Sequence, residues 1–170
     1  MNLNEIGQKY WTDKVEHTFL PFYEKYIENK DIKSVLEIGI YQGASIKMWR
    51  EYFPNAEITW IDLFPKDSIE WCTVLRWDAS NKDFLDTLWT FDLIIDDWSH
   101  LMSHQKKTFE ILWEHLNEWG FYIVEDLHTS FMEEYIDEQP KAYEYFTNID
   151  IKKELYNWNW GSSKTIILFK

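Results

Sequence analysis

Basic residues, cysteine, long hydrophobic runs and glycine are all scarce in this sequence of 170 residues. Lysine and arginine number 17 against 30 aspartates and glutamates, and the formal net charge of -13 argues against a nucleic-acid backbone as the partner. The one cysteine, Cys72, excludes an internal disulfide, so nothing points to an oxidising compartment.

The longest apolar runs lie near Phe121–Val124 and Ile166–Phe169 and are strand-sized, far too short to span a bilayer. The segment Met1–Lys14 is polar and charged and lacks the apolar stretch of a signal peptide. We therefore expect a cytoplasmic protein with no membrane partner. Nearly half of the residues are apolar, enough for the core of one domain.

Strand-sized apolar segments alternate with helical patterns along most of the chain. The run Lys33–Ile38 (KSVLEI) is typical of a buried strand, and Gly43–Phe53 has apolar residues at helical spacing. This alternation predicts a parallel sheet covered by helices on both faces. The other predicted strands are Glu57–Leu63, Thr73–Trp77, Phe91–Asp96, Gly120–Val124, and an edge hairpin of Ile149–Tyr156 and Lys164–Phe169 joined through Gly161-Ser162-Ser163. The other predicted helices are Phe19–Ile27, Asp83–Trp89, Leu101–Leu116 and Phe131–Phe146, the last interrupted at Pro140.

Acidic residues collect where the predicted strands end. In an open α/β sheet ligands bind outside the carboxyl ends of the strands, so acids at successive strand ends are hard to dismiss as solvated charge. These residues are Glu37, Asp62, Asp78, Asp96, Asp97, Glu125 and Asp126.

The turn after the first strand contains Gly39 and Gly43, which would let the backbone approach a ligand closely. The turn is not the G-x-G-x-x-G fingerprint of nicotinamide enzymes, which argues against an oxidoreductase, and it has no Walker lysine. Asp62, at the end of the second strand, suits the hydroxyls of a ribose. Both features fit an adenosine cofactor; the alternative is a glycine turn in some other α/β protein.

A second group of residues follows the fourth and fifth predicted strands. If these strands are neighbours, Asp97, Glu125 and Asp126 converge, and three such carboxylates repel one another unless a cation lies between them. Oxygen ligands favour a hard ion such as magnesium. His100 could take a proton from a hydroxyl held there. The alternative is that His100 caps the next helix and the acids are solvated.

Together these motifs resemble the class I S-adenosylmethionine (SAM)-dependent methyltransferases. The EIG-x-x-x-G turn and the series D-D-x-S-H…E-D-L-H-T-S are most similar to the macrocin and mycinamicin type of sugar O-methyltransferase and its cephalosporin-hydroxylase-like relatives, from about Thr12-Asp13-Lys14 to the end of the chain. The resemblance implies a Rossmann-like three-layer sandwich with a seven-stranded, mostly parallel sheet whose last strand is antiparallel. It also implies a single domain over 1–170, with a helical lead-in over 1–32 and the core over 33–170.

The resemblance also implies a reaction, methyl transfer from SAM to a sugar hydroxyl in a glycan or secondary metabolite. Methylation of a small phenol or catechol and a non-catalytic module that binds SAM or glycans are the alternatives. The expected partners are a small-molecule or glycan acceptor and, in a homo-oligomer, further copies of the chain. By the same resemblance SAM is bound by Glu37, Gly39, Gly43, Ser45, Asp62, Asp78 and Asp96; magnesium or another divalent cation by Asp97, Glu125 and Asp126; His100 is the general base, His17 faces a ligand, and His128 lies near the metal.

Tryptophan stands where the resembled pattern has glycine. The chain has 11 Trp and 5 Gly, although ordinary usage would give roughly 12 Gly. Replacing the smallest residue by the largest at turns is physically awkward, since such glycines often serve positive φ or close packing. We hypothesise that the gene comes from an organism that reads the codon UGA as glycine, and that it was translated with a code that reads UGA as tryptophan. The alternative is a truly Trp-rich chain with an aromatic sugar-binding surface. The positions are Trp11, Trp60, Trp77, Trp98 and Trp119.

Overall fold

The computed structural model describes residues 1–64, 69–157 and 164–170. Within these ranges the chain forms one sheet flanked by helices, and none of the described helices is long and apolar enough to cross a membrane. The strands are β1 (Ser34–Ile38), β2 (Glu57–Asp62), β3 (Cys72–Arg76), β4 (Phe91–Asp96), β5 (Leu116–Val124), β6 (Lys153–Asn157) and β7 (Lys164–Phe169). The helices are α1 (Leu3–Tyr10), α2 (Phe19–Ile27), α3 (Ala44–Tyr52), α4 (Lys82–Leu85), α5 (Met102–Leu112) and α6 (Ala142–Asn148).

The seven strands are arranged in the order β3-β2-β1-β4-β5-β7-β6. Neighbours among the first five strands in this order pair in parallel, and β7 pairs antiparallel with both β5 and β6. This confirms the predicted Rossmann-like sheet with its antiparallel last strand. It also confirms that the fourth and fifth strands are neighbours, which the convergence of their acids requires.

The sheet is buried on both faces, which is why its central strands have continuous apolar runs in the sequence. One face packs against α1, α2 and α3, with Phe19, Tyr23 and Trp49 fully buried. The other face packs against α5 and α6 through Leu112 and Phe146. The helices α3 and α5 therefore follow their strands on opposite sides of the sheet.

The lead-in contains one helix that the sequence analysis missed. The predicted helix over Phe19–Ile27 is α2, whereas α1 was not predicted. The side chain of Asn2 accepts a hydrogen bond from the backbone of Glu5, and the Glu5 side chain accepts one from the backbone of Asn2. This capping box is a recognisable signal for a helix start, and it precedes α1.

Several predicted bounds were wrong. The helix predicted to reach Leu116 ends at Leu112, because Leu116 already pairs with Phe91 at the start of β5. In place of the helix predicted over Phe131–Phe146 there are short 3-10 turns at Leu127–Phe131 and Glu133–Tyr135, and α6 begins only after Pro140. Proline lacks a backbone donor and disfavours helix at the residue before it. The helix predicted over Asp83–Trp89 is a single turn, β6 begins at Lys153 rather than Ile149, and the Gly161-Ser162-Ser163 turn lies outside the described residues.

Candidate active site

A crevice opens at the carboxyl ends of β1 and β4, where the helices that follow leave on opposite faces of the sheet. The backbone N–H of Asp97 donates to the Ile38 carbonyl at 3.0 Å, so the loop after β4 lies directly on the glycine turn after β1. Gly39 has φ +80, and a Cβ there would be 2.2 Å from the Asp97 carbonyl oxygen. Only glycine fits this point, and the two ligand-facing loops meet at it.

Two cavities adjoin at this crevice and share Gly39, Asp97 and His100 in their walls. The smaller, about 290 Å³, is also lined by Asp62, Trp77 and Trp98. The larger, about 760 Å³, is lined by residues of α1, the glycine turn and the strand ends. Its lining residues include Lys9, Tyr10, Tyr41, Ser45, Asp97, His100 and Asp126.

Asp62 is anchored by backbone groups at the mouth of the smaller cavity. Its two carboxylate oxygens accept hydrogen bonds from the backbone N–H groups of Ile40 at 3.1 Å and Phe64 at 2.6 Å. The carboxylate is thereby fixed in orientation beside the glycine turn. A fixed acceptor in this place suits vicinal hydroxyls of a ribose, as the sequence predicted.

Asp97, His100 and Asp126 form a compact group in the wall of the larger cavity. Each offers one ligand atom, and these atoms all lie within 4.8 Å of one another. His100 Nε2 is 3.8 Å from Asp126 Oδ2, and His128 Nδ1 is 3.6 Å from Asp126 Oδ1. Asp126 Oδ1 is buried without a hydrogen-bond partner among the described residues. A carboxylate oxygen of Asp126 without a partner, beside the carboxylate of Asp97, suits the binding of a hard cation such as magnesium.

Glu125, the third predicted metal ligand, has a second partner. It is buried, and both of its oxygens accept hydrogen bonds from Lys14 Nζ, at 2.8 and 2.9 Å. Burial, with the negative charge of Asp97, raises the pKa of Glu125 well above its ordinary value despite Lys14. Burial also raises the pKa of Asp97, with Asp126 adding to the effect.

Lys14 is the residue of this site that the sequence analysis did not select. It lies in the 3-10 turn Asp13–Val15, is 1% exposed, and also donates to Asp97 Oδ2 at 2.7 Å. Burial alone would lower the pKa of Lys14, but Asp97, Glu125 and Glu37 hold it well above the ordinary value. Lysine is rarely buried unless it is paired. The T-D-K segment was the only signal in the sequence for a role of Lys14.

The backbone around the group is held in an uncommon conformation. Ser99, His100 and Asp126 have φ values of 58, 57 and 53, in the left-handed region. Non-glycine residues persist in this conformation only where surrounding contacts hold them, and they cluster at functional sites. His100 does not cap α5, which begins after Leu101 with no side-chain cap, so the capping alternative does not hold.

Five predicted ligand residues do not line either cavity. Glu37 is fully buried beside Lys14, and Asp96 is buried and accepts a hydrogen bond from the Tyr122 hydroxyl at 3.1 Å. Asp78 is exposed and accepts hydrogen bonds from Ser80, and Gly43 precedes α3 with φ +76. Glu125 is the fifth of these residues, and the contact of all five with a ligand stays a prediction. His17 stacks on Phe19 with ring centroids 5.3 Å apart.

The five tryptophans of the glycine pattern divide into two sets. Trp11 and Trp119 have φ values of 60 and 68 and are 90% and 86% exposed. Trp60 is buried in β2, Trp77 stacks on Phe84, and Trp98 stacks on His104 with centroids 4.9 Å apart. A further tryptophan, Trp71, has φ 69 and is also exposed. Glycine adopts the left-handed conformation more readily than any other residue.

No family model matches the sequence. A tetracenomycin-C rhamnosyl 3'-O-methyltransferase of Streptomyces olivaceus is 33% identical over 172 residues, covering 91% of this chain and 44% of the relative. The mycinamicin VI 2''-O-methyltransferase of Micromonospora griseorubida is 30% identical over 148 residues, covering 76% of this chain and 37% of the relative. The chain thus spans less than half the length of these curated relatives.

Among solved structures, the MycE methyltransferase of the mycinamycin pathway, in complex with Mg, SAH and mycinamycin VI, superposes with a TM-score of 0.85 at 23% identity. The match covers 99% of this chain and 54% of that one. A Staphylococcus aureus protein assigned as a caffeoyl-CoA O-methyltransferase superposes with a TM-score of 0.66 at 16% identity.

The chain therefore has the fold of the class I SAM-dependent methyltransferases. Within that class it is a homologue of the sugar O-methyltransferases of the mycinamicin, macrocin and tetracenomycin type.

Proposed function

We propose that this chain catalyses transfer of a methyl group from SAM to a sugar hydroxyl in a glycan or secondary metabolite, assisted by a divalent metal. The observation that carries the proposal is the convergence of Asp97, His100 and Asp126 in the wall of one cavity that adjoins a second cavity beside Asp62. The relatives' names support a sugar hydroxyl rather than a phenol.

The smaller cavity is the proposed cofactor site. Asp62 accepts from the ribose hydroxyls, and the backbone of Gly39 lines the same cavity. SAM carries a positive sulfonium, which the acidic strand ends favour electrostatically. Of the residues proposed to bind SAM, Gly39 and Asp62 line this cavity and Ser45 lines the larger one. Glu37, Gly43, Asp78 and Asp96 line neither cavity and stay part of the proposal.

Asp97, Glu125 and Asp126 are the proposed ligands of magnesium. The orphaned oxygen of Asp126 and the oxygen-rich donor set fit that ion. Although Lys14 binds both oxygens of Glu125, an ionised carboxylate has about four lone-pair sites, so Glu125 keeps acceptor capacity. When bound, the cation lowers the pKa of an acceptor hydroxyl and orients it.

His100 is the proposed general base. It removes the proton of the acceptor hydroxyl while the oxygen forms its bond to the methyl carbon and the carbon–sulfur bond breaks, with the electron pair staying on sulfur. The product SAH is then neutral at sulfur. Asp126 Oδ2 lies 3.8 Å from His100 Nε2, so the proposed base lies beside the proposed metal ligand. We further propose that the protein acts in the cytoplasm on a small-molecule or glycan acceptor.

The experiment is a transfer assay with SAM, magnesium, and deoxysugar glycosides compared with a catechol, read by mass spectrometry. We expect methylated glycoside from the wild type. His100→Gln should lose about 10²- to 10⁴-fold in rate while keeping SAH affinity, the usual scale for a general base. His115→Gln is the matched control, since His115 lies outside both cavities. Failure to bind SAH, or methylation of the catechol alone, would contradict the proposal.

A further inference from the structure

The ammonium group of Lys14 lies between Glu37, a predicted cofactor residue in β1, and the acids of the predicted metal site. Lys14 Nζ donates to Asp97 Oδ2 at 2.7 Å and to the two oxygens of Glu125 at 2.8 and 2.9 Å. Glu37 Oε1 lies 3.1 Å from the same nitrogen as an ion pair. The three protons of the ammonium are thus shared among three acids.

The three acids and the lysine come from different parts of the fold. Glu37 lies in β1, whereas Asp97 and Glu125 directly follow β4 and β5. Lys14 reaches this point from the 3-10 turn that precedes α2, outside the sheet. The point where Nζ lies is thus surrounded by four carboxylate oxygens within 3.1 Å, and a tethered cation fills it.

The charge at this point sets what else can bind. The four carboxylates of Glu37, Asp97, Glu125 and Asp126 together with one ammonium carry three negative charges when all are ionised, and one divalent cation reduces this to one. Without the ammonium, the inner point would offer a divalent ion four carboxylate oxygens, from Glu37, Asp97 and Glu125. The outer position offers one oxygen each from Asp97 and Asp126, together with the remaining lone pairs of Glu125. Hard cations prefer the position with more carboxylate oxygens.

We propose that Lys14 is a positioning residue that fills the inner cation position, so that a single divalent ion binds on the outer side, against Asp97, Asp126 and the remaining lone pairs of Glu125. This inference rests on the proposed metal-assisted function. The tethered ammonium keeps Glu125 and Asp97 in fixed orientations, and it cannot leave the site as a free ion can. The metal is thereby kept beside His100, where the acceptor hydroxyl must lie.

The test measures Mn²⁺ binding by electron paramagnetic resonance and calorimetry, without cofactor or acceptor. Wild type should bind one Mn²⁺ per chain, and Asp126→Asn should weaken this at least tenfold. Asparagine tolerates the left-handed backbone of position 126, so the loop conformation is kept. In Lys14→Met the ion should move to the inner position, so Mn²⁺ binding should be at least as tight as in wild type. Adding Asp126→Asn to Lys14→Met should then change affinity less than threefold.

Lys106→Met is the matched control for losing a buried lysine. Lys106 is buried, pairs with Glu138 at 2.9 Å, and lies away from the strand ends. This variant should keep the Mn²⁺ affinity and the Asp126 dependence of the wild type. If Lys14→Met does not fold, Lys14→Gln replaces it, because glutamine keeps a donor but no charge.

Either of two results would overturn this inference and leave the metal-assisted function standing. The first is Mn²⁺ binding in Lys14→Met that is weaker than in wild type, or that still depends on Asp126. The second is two ions bound to the wild type at saturation. Absence of any Mn²⁺ binding by the folded wild type would instead overturn the metal-assisted function, and this inference with it.

Discussion

The carbonyl oxygen of Asp97 lies 2.2 Å from the point where a Cβ on Gly39 would be, so the loop that carries the metal-site acid packs against the bare backbone of the cofactor turn. Gly39→Ala would force these loops apart, and its φ of +80 strains any L side chain. We expect a loss of about 3 kcal/mol in the free energy of unfolding and a large loss of SAH affinity. Urea unfolding and calorimetry measure both.

Gly43→Ala is the control for this substitution. Gly43 has a similar φ of +76, but its added Cβ would crowd the end of the Ile69 side chain, at 2.9 Å, and meet Trp60 at an ordinary 3.5 Å. That end can move, so the loss of stability should be smaller than at Gly39. Equal losses at the two positions would show that backbone conformation, and not the Asp97 contact, sets the requirement.

The neutral form of Asp96 is expected to stabilise the fold. Asp96 is buried, and burial raises its pKa well above the ordinary value, even though the Tyr122 hydroxyl donates to it. A raised folded-state pKa stabilises the protein fully below the unfolded pKa, and this contribution is lost as the pH rises through the folded value. Asp96→Asn keeps an acceptor for Tyr122 and has no charge to ionise.

The stability advantage of Asp96→Asn over wild type should therefore grow as the pH rises from about 5 to 8, at up to roughly 1.4 kcal/mol for each unit by which the pKa is raised. Urea unfolding at each pH in the presence of a chelator gives the difference. Burial also raises the pKa of Glu37, but Glu37 is the same in both proteins and so does not affect the comparison. Parallel stability curves would contradict the prediction.

The sequence predicted the sheet because strand-sized apolar runs and terminal acids recur in order. It predicted that Asp97 and Asp126 converge because parallel neighbouring strands end at one edge of the sheet. Lys14 could not be found this way. Its contact with Glu125 spans 111 positions and depends on how the lead-in packs, and no local periodicity encodes that.

The predicted ends of helices and strands were wrong where strand pairing overrides the local hydrophobic pattern. The apolar spacing before Leu116 continues that of a helix, but pairing with Phe91 makes it the first residue of β5. The burial of Asp96 could not be predicted either. Successive side chains at the end of a strand point to opposite sides, so Asp97 lines the cavity while Asp96 enters the core beside Tyr122.

Trp98 is expected to restrict the cofactor cavity. Its indole lines the smaller cavity, and its buried N–H has no hydrogen-bond partner among the described residues. Trp98→Gly would open space beside Asp62, although the stacking on His104 is lost. Calorimetry should show SAH binding tightened about tenfold, or by about 1.4 kcal/mol. Unchanged affinity would show that the indole leaves the site accessible.

The UGA hypothesis has its own measurement. Peptide mass spectrometry of the protein purified from its natural source distinguishes glycine from tryptophan at positions 11, 60, 77, 98 and 119. Glycine at all five would support recoding. Tryptophan at position 98 in the natural protein would end the hypothesis and leave a truly Trp-rich chain.

Trp119 is expected to destabilise the chain as it stands. Its φ is 68 and its side chain is 86% exposed, so glycine would relieve a left-handed conformation that costs an L residue roughly 1–2 kcal/mol, with little buried area lost. The greater freedom of glycine in the unfolded chain offsets roughly 0.5–1 kcal/mol of this gain. Trp119→Gly should therefore raise the free energy of unfolding by about 0.5–1 kcal/mol in urea titrations. The control, Trp89→Gly, removes an indole that packs on Phe91 from a backbone without positive φ, so it should lower stability. Loss of stability in both variants would mean that the Trp119 side chain makes stabilising contacts that outweigh its backbone strain.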